Sequence, residues 1–81
     1  MHGGGRTDGP LSALSERETD VLRLMAEGRA NNAIAGELFI SAKSVEKNIA
    51  AIFTKLGLPG DATVHHRRVL AVLAYLQAQR I

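Results

Sequence analysis

The chain has 81 residues, a formal net charge of +2 at pH 7 and no cysteine or tryptophan, so it forms one small domain with an aliphatic core. The lack of cysteine excludes a disulfide framework and a thiolate metal site, and it is compatible with the cytoplasm. The longest apolar run, residues 69–76, is eight residues long, against the roughly 20 that a membrane span needs, so we expect no membrane partner.

A glycine-rich segment opens the chain. Residues 1–10 contain four glycines and no hydrophobic periodicity. We expect residues 1–12 to be a disordered linker, natural or left by cloning, and residues 13–80 to form the folded domain.

The first predicted helix covers residues 16–27. Ser15 and Glu18 have the spacing of a capping box, in which the serine oxygen accepts a backbone N–H three residues on and the glutamate reaches back. Apolar residues recur at helical spacing within residues 21–25. Gly28 is placed to end this helix in the left-handed conformation.

A short helix is predicted over residues 31–38 and a longer one over residues 42–56. Three residues separate them, Ser41 is placed to cap the longer helix, and Gly57 follows its end. The apolar stripe of the longer helix consists of Val45, Ile49, Ile52, Phe53 and Leu56. A short helix, a tight turn and a longer helix form the layout of a helix-turn-helix at residues 31–56, whose second helix enters the major groove of DNA.

A fourth helix is predicted over residues 64–79. The face that we expect to pack on the core holds Val69, Leu70, Leu73 and Leu76. The side expected to face away holds Arg68, Ala71, Val72 and Tyr75. A domain this small would leave that apolar strip in water, which indicates a two-fold dimer interface; a plain amphipathic helix with a few exposed apolar residues is the alternative. Four helices without any strand pattern predict an all-α fold.

Basic charge is concentrated in the second half of the chain. The net charge is −2 over residues 13–38, +2 over residues 41–56 and +3 over residues 64–81. Near the start of the third helix, Lys43, Glu46 and Lys47 carry groups suited to DNA. Lysine reaches guanine acceptors or phosphates, and glutamate accepts from the cytosine amino group. A solvated charged face is the alternative, with Glu46 reducing the repulsion between the lysines.

Two long stretches carry a family resemblance: LSERETDVLRLMAEG and NNAIAGELFISAKSVEKNIAAIFTKLGL. Together with the final helix, they resemble the C-terminal domain of the LuxR/NarL/FixJ family of bacterial transcription regulators, from Leu14 to about Gln79. The resemblance implies a four-helix LuxR-type helix-turn-helix domain that binds double-stranded DNA sequence-specifically, in the bacterial cytoplasm at the nucleoid. It also implies an effector domain that follows a regulatory domain, as in two-component response regulators, and that often dimerises through its last helix.

The family pattern implies a role for each matching position. The base-contact positions hold Lys43, Glu46 and Lys47, and the phosphate-contact positions hold Asn31, Asn32, Ser41, Ser44, Asn48 and Lys55. Glu46 stands where a lysine is common, which should change base preference, and Asn48 stands where a histidine is common. Ala30 and Ala33 stand where a Ser/Thr cap and its glutamate partner are common, which should weaken the cap of the second helix by roughly 1 kcal/mol.

The chain offers no pattern for catalysis, a metal or a cofactor. His65 and His66 are adjacent, so on a helix they point about 100° apart, and no nucleophile or acid pair accompanies them. We therefore expect a protein that is not an enzyme and that needs no cofactor.

A protein-interaction module is the competing hypothesis. The domain could dock on RNA polymerase, as the similar region 4 of sigma factors does, or be masked by its regulator; the acidic first helix motivates this hypothesis. A sigma region 4 has little after its reading helix, whereas a full helix follows here. RNA polymerase is retained as a second candidate partner.

Overall fold

Four α-helices make up most of the folded part of the chain. The computed structural model describes residues 10–79; the first nine residues of the linker expected over residues 1–12 lie outside them. The elements in chain order are a 3₁₀ turn at Pro10–Ala13, α1 at Glu16–Ala26, α2 at Asn31–Leu38, α3 at Ala42–Lys55 and α4 at Val64–Ala78. These helices and the absence of strands in the described part confirm the all-α prediction. Within residues 10–79, no helix is both long and apolar enough to cross a membrane.

The folded part begins before residue 13. Pro10–Ala13 forms the 3₁₀ turn, Leu11 is half-buried against the core, and the Leu14 amide donates to the Leu11 carbonyl oxygen at 3.1 Å. The expectation that the linker extends to residue 12 is therefore wrong at its end. A single leucine between a proline and two small residues has no periodicity that could have marked this turn.

The core lies mainly between α1 and α3. Leu22 of α1 and Val45 and Ile52 of α3 are fully buried, and Ile34 of α2 joins them. Each such side chain contributes about 1.5–3 kcal/mol relative to full exposure. The stripe predicted for α3 is confirmed, with Leu56 half-buried at its end. Because α3 packs on the core through this stripe alone, its opposite side is exposed to solvent.

The orientation of α4 is the reverse of the prediction. Ala71 has no exposed surface, and Val72 and Tyr75 pack half-buried against the core. Val69 and Leu73, predicted to be buried, are 43% and 47% exposed. A small side chain lets two helices approach closely; α4 contacts α1, and Ala71 lies in one core cluster with the buried residues of α1. Burial of Ala71 overturns its predicted place in a dimer interface, and with it the face containing Val72 and Tyr75.

The turn between α2 and α3 contains a left-handed residue. Phe39 adopts φ 59° and ψ 43°, and its amide and that of Ile40 donate to the Ala35 carbonyl oxygen. Its side chain is 93% exposed. Bulky residues rarely adopt this conformation, because the Cβ atom lies too close to the following carbonyl oxygen. Phe39 thus ends α2 at an energetic cost. Gly28 and Gly57, which end α1 and α3 with positive φ angles, avoid this cost because they have no Cβ atom.

Candidate nucleic-acid interface

The exposed side of α3 is the centre of the candidate site. Lys43 and Lys47 are both exposed and lie one turn apart, opposite the buried stripe. Glu46 is also exposed but points about 100° away from Lys47. It borders a groove of about 460 Å³ between α3 and α4, which Arg67 and Arg68 also line. The structure therefore brings the two predicted lysines together and places the predicted glutamate on their α4 flank.

The start of α3 is capped and carries no acidic residue. The Ser41 hydroxyl oxygen accepts a hydrogen bond from the Ser44 amide at 3.0 Å and the Ser41 hydroxyl donates to the Ser44 hydroxyl oxygen at 3.1 Å. This confirms the predicted cap. The partial positive charge of a helix N-terminus adds to that of Lys43, so this end of α3 attracts anions.

Asn48 turns back on its own helix. Its amide nitrogen donates to the Ser44 carbonyl oxygen at 2.9 Å, and the side chain is half-buried. The predicted phosphate contact through Asn48 therefore competes with an existing hydrogen bond. This arrangement weakens Asn48 as a candidate relative to Lys43 and Lys47.

The start of α2 has no side-chain cap, whereas the sequence predicted a weakened cap with Asn31 as its candidate. Ala30 occupies the cap position, and Asn32 is exposed. Asn31 is half-buried, and its side-chain oxygen accepts a hydrogen bond from Arg68 at 2.9 Å. A second nitrogen of Arg68 donates to the Arg29 carbonyl oxygen at 2.9 Å. Arg68, predicted to face a partner subunit, instead reaches across to α2, a contact that no sequence pattern indicated.

Lys55 has a partner within the fold. Its Nζ atom lies 2.8 Å from Glu18 Oε1, and Glu18 is only 8% exposed. This ion pair joins the end of α3 to the start of α1. Lys55 also points about 80° away from Lys47, so its predicted phosphate contact would compete with this ion pair and stays a prediction.

Glu18 is held as a carboxylate by its surroundings. Burial opposes its ionisation and is the strongest single influence, but hydrogen bonds from Lys55 and from the backbone and hydroxyl of Ser15, with the Lys55 charge, outweigh it. The pKa of Glu18 therefore lies below its ordinary value. The Ser15 amide donates to Glu18 Oε1 at 2.8 Å and the Glu18 amide donates to Ser15 Oγ at 3.1 Å, which confirms the predicted capping box.

Arg67 is a site residue that the sequence reasoning missed. Its guanidinium carbon lies 5.1 Å from the centre of the Phe53 ring, a cation–π distance. Its Nε atom is buried and finds no hydrogen-bond partner within the described residues. The basic charge of residues 64–81 was the only sequence signal, and it could not place Arg67 beside α3.

The two adjacent histidines form no cluster. His65 and His66 are both exposed on the first turn of α4. Among residues 10–79, no group of three or more histidine, cysteine, aspartate or glutamate side chains is arranged to hold a metal ion.

Similarity to known proteins agrees with this architecture. Residues 12–74 match the family model described as bacterial regulatory proteins, luxR family. The oxygen regulatory protein NreC of Staphylococcus aureus, in strains MRSA252 and JH9, is 48% identical to the chain over 52 residues. That match covers 64% of this chain and 24% of NreC, so the chain aligns with about a quarter of its relative. No solved structure gives a significant match. The chain therefore belongs to the luxR family of bacterial regulatory proteins, as a helix-turn-helix DNA-binding domain of a transcription regulator.

Proposed function

We propose that the domain reads double-stranded DNA with α3 lying in the major groove. The observation that carries this proposal is the pair Lys43 and Lys47 at the start of α3, directly opposite its buried stripe. The major groove is about 12 Å wide and admits one helix, and the first turns of a recognition helix usually meet the base edges. A helix held by one side only, with lysines on the other, meets both requirements.

The proposal retains seven of the predicted contacts and leaves out Asn48 and Lys55, whose side chains have partners within the fold. Lys43 and Lys47 reach base acceptors or phosphates, and Glu46 accepts a hydrogen bond from a cytosine amino group on the α4 flank. The contacts to the DNA phosphates come from the first turns of α2 and α3, where the protein's amide N–H groups lack hydrogen-bond partners within the helix. The side chains at those starts are Asn31 and Asn32 on α2 and Ser41 and Ser44 on α3.

A second copy of the chain is the proposed partner of α4. Val69, Leu73 and Leu76 follow one another at i, i+4 and i+7 and are 43–47% exposed, which leaves an apolar stripe in water. Two-fold pairing along this stripe would bury it and set two α3 helices for half-sites about one helical turn of DNA apart. Leu73→Glu should keep the fold and abolish dimers in sedimentation. A wild-type chain that stays monomeric at high concentration, on and off DNA, would refute this part.

We further propose that the domain is the effector part of a longer response regulator, acting in the bacterial cytoplasm on the nucleoid. The support is that NreC, a regulator by name, is about four times as long as the matched region. In that setting a phosphorylation-dependent domain would control the DNA-binding domain through its dimerisation.

Selection of bound DNA from a random pool, followed by anisotropy titrations at several salt concentrations, tests DNA reading. We expect one enriched sequence and an affinity that falls steeply with salt, because phosphate contacts release counterions. Lys47→Ala should weaken binding by about 5- to 150-fold, from the 1–3 kcal/mol of a good base contact, and should relax one position of the site.

Lys55→Ala is the matched control, because it removes the same charge from the same helix. Since Lys55 is paired with Glu18, this variant should lower stability slightly but leave the sequence preference unchanged. The proposal fails if no sequence is enriched, if salt has no effect, or if both variants change sequence preference equally.

Docking on RNA polymerase is a second candidate, favoured by Phe39. An aromatic side chain that is 93% exposed in the turn before the reading helix is suited to contact a protein bound beside the domain on DNA. Phe39→Ala should then leave DNA affinity unchanged while reducing capture of purified polymerase. Equal capture by both proteins would rule this contact out.

A further inference from the structure

The four α-helices start in the same way except for α2. Ser15, Ser41 and Thr63 each accept a backbone hydrogen bond from the residue three positions on, at 3.0–3.1 Å. Ala30 has the same extended backbone, with φ −75° and ψ 162°, but no side chain that could accept. A helix of eight residues is short and frays readily, so its start needs another support.

Arg68 of α4 supplies a contact on each side of this uncapped position. One terminal nitrogen donates to the side-chain oxygen of Asn31 and the other to the carbonyl oxygen of Arg29, both at 2.9 Å. The rigid, planar guanidinium fixes the relative positions of its two acceptors, which a lysine ammonium would not do. Both acceptors flank Ala30, so the fork spans the residue at which α2 begins.

We infer that Arg68 is a positioning residue that clamps the start of α2 in place of a side-chain cap. A serine cap would occupy one of the free backbone N–H groups, whereas Arg68 donates and therefore leaves all of them available. The clamp thus fixes the first turn of α2 without using the groups that would bind a phosphate. The consequence for DNA affinity rests on the proposed function; the consequence for α2 does not.

The same side chain also borders the exposed side of α4. Arg68 lines a shallow cleft with Val69 and Leu73, two members of the apolar stripe. A second subunit covering that stripe would restrict the Arg68 side chain, and through it the start of α2. The clamp therefore links the proposed dimer face to the proposed phosphate-binding end.

Amide hydrogen exchange of the full chain tests the clamp directly. Arg68→Ala should speed exchange at Ile34, whose amide bonds to the Ala30 carbonyl oxygen at 3.0 Å, by about fivefold, the loss that an ordinary cap represents. Arg68→Lys keeps the charge and most of the stem but should behave like Arg68→Ala. Adding Ala30→Ser to Arg68→Ala should restore protection, while Ala30→Ser alone should add little.

DNA titration separates a clamp from a direct phosphate contact. If Arg68 is a clamp, Arg68→Ala should lower the DNA affinity by about fivefold, the effect of losing an ordinary helix cap. This loss of affinity should be the same at every salt concentration. A direct contact would instead reduce the salt slope by about one and be rescued by Arg68→Lys. Such a slope change, unaltered exchange in Arg68→Ala, or no restoration by Ala30→Ser would each overturn the inference. If the unaltered chain bound no DNA, the proposed function would fail, and the exchange experiments would still decide the clamp.

Discussion

Helices α3 and α4 have similar lengths, 14 and 15 residues, yet only α3 has the buried face that its sequence predicts. Apolar side chains on α3 are confined to one side, so only one orientation buries them. On α4 they occur all around, and the larger Val69, Leu73 and Leu76 lie outside while Ala71 is fully buried. Periodicity therefore fixes the orientation of a helix only where the other faces are polar.

Truncating one large aliphatic side chain on each helix tests this difference between α3 and α4. Ile52→Ala on α3 should lower the free energy of unfolding by about 2–5 kcal/mol, because Ile52 is fully buried. Leu73→Ala on α4 should lower it by less than about 1 kcal/mol, because Leu73 is nearly half exposed. Urea denaturation at low protein concentration measures both without a contribution from dimers. Equal losses would mean that α4 presents Leu73 to the core in solution.

The same contrast explains what the sequence could predict of the fold and the site. The capping box at Ser15 and the cap at Ser41 depend on neighbouring residues and are confirmed, and the predicted helix bounds agree with the structure to within one residue. The contacts of Arg68 with α2 and of Lys55 with α1 join residues 37–39 positions apart. Such pairs depend on how the helices cross, and one sequence without its relatives contains no signal for them.

The turn before α3 offers a second, smaller test. Phe39→Gly should raise the free energy of unfolding by up to about 1 kcal/mol, since it relieves a left-handed residue at some cost in unfolded-chain entropy. Little burial is lost, because Phe39 is 93% exposed. Thermal unfolding would show a higher Tm.

Gly57 at the other end of α3 is the control for this test. It has φ +67°, and a methyl group added to its Cα would meet no neighbouring atom within 4 Å. Gly57→Ala should therefore lower stability by about 1 kcal/mol through backbone strain alone. A Phe39→Gly variant that is less stable than wild type would show that the Phe39 ring packs on the domain in solution.

The ion pair between Lys55 and Glu18 joins the end of α3 to α1. Within the described residues α4 has no such ion pair, and removing this one should have the least effect on stability. Because the pKa of Glu18 is lowered in the folded state, its contribution is present above the unfolded value of about 4.3 and is lost as the pH falls through the lower folded value. Glu18→Gln keeps an acceptor for the capping box and should cost less than about 1 kcal/mol at pH 7.

That cost should shrink as the pH falls below the unfolded value and through the lower folded value of the Glu18 pKa. Once Glu18 is protonated in both states, wild type and Glu18→Gln should unfold at closely similar urea concentrations. Lys55→Ala should behave in the same way, and the double variant should be no less stable than the worse single variant, because both substitutions remove one shared contact. A cost of Glu18→Gln that persisted unchanged at this acidic pH would mean that the hydrogen bonds with Ser15, rather than the charge on Lys55, account for the stabilisation. In that case α3 would be held to α1 by packing alone, and Lys55 would be free to contact DNA after all.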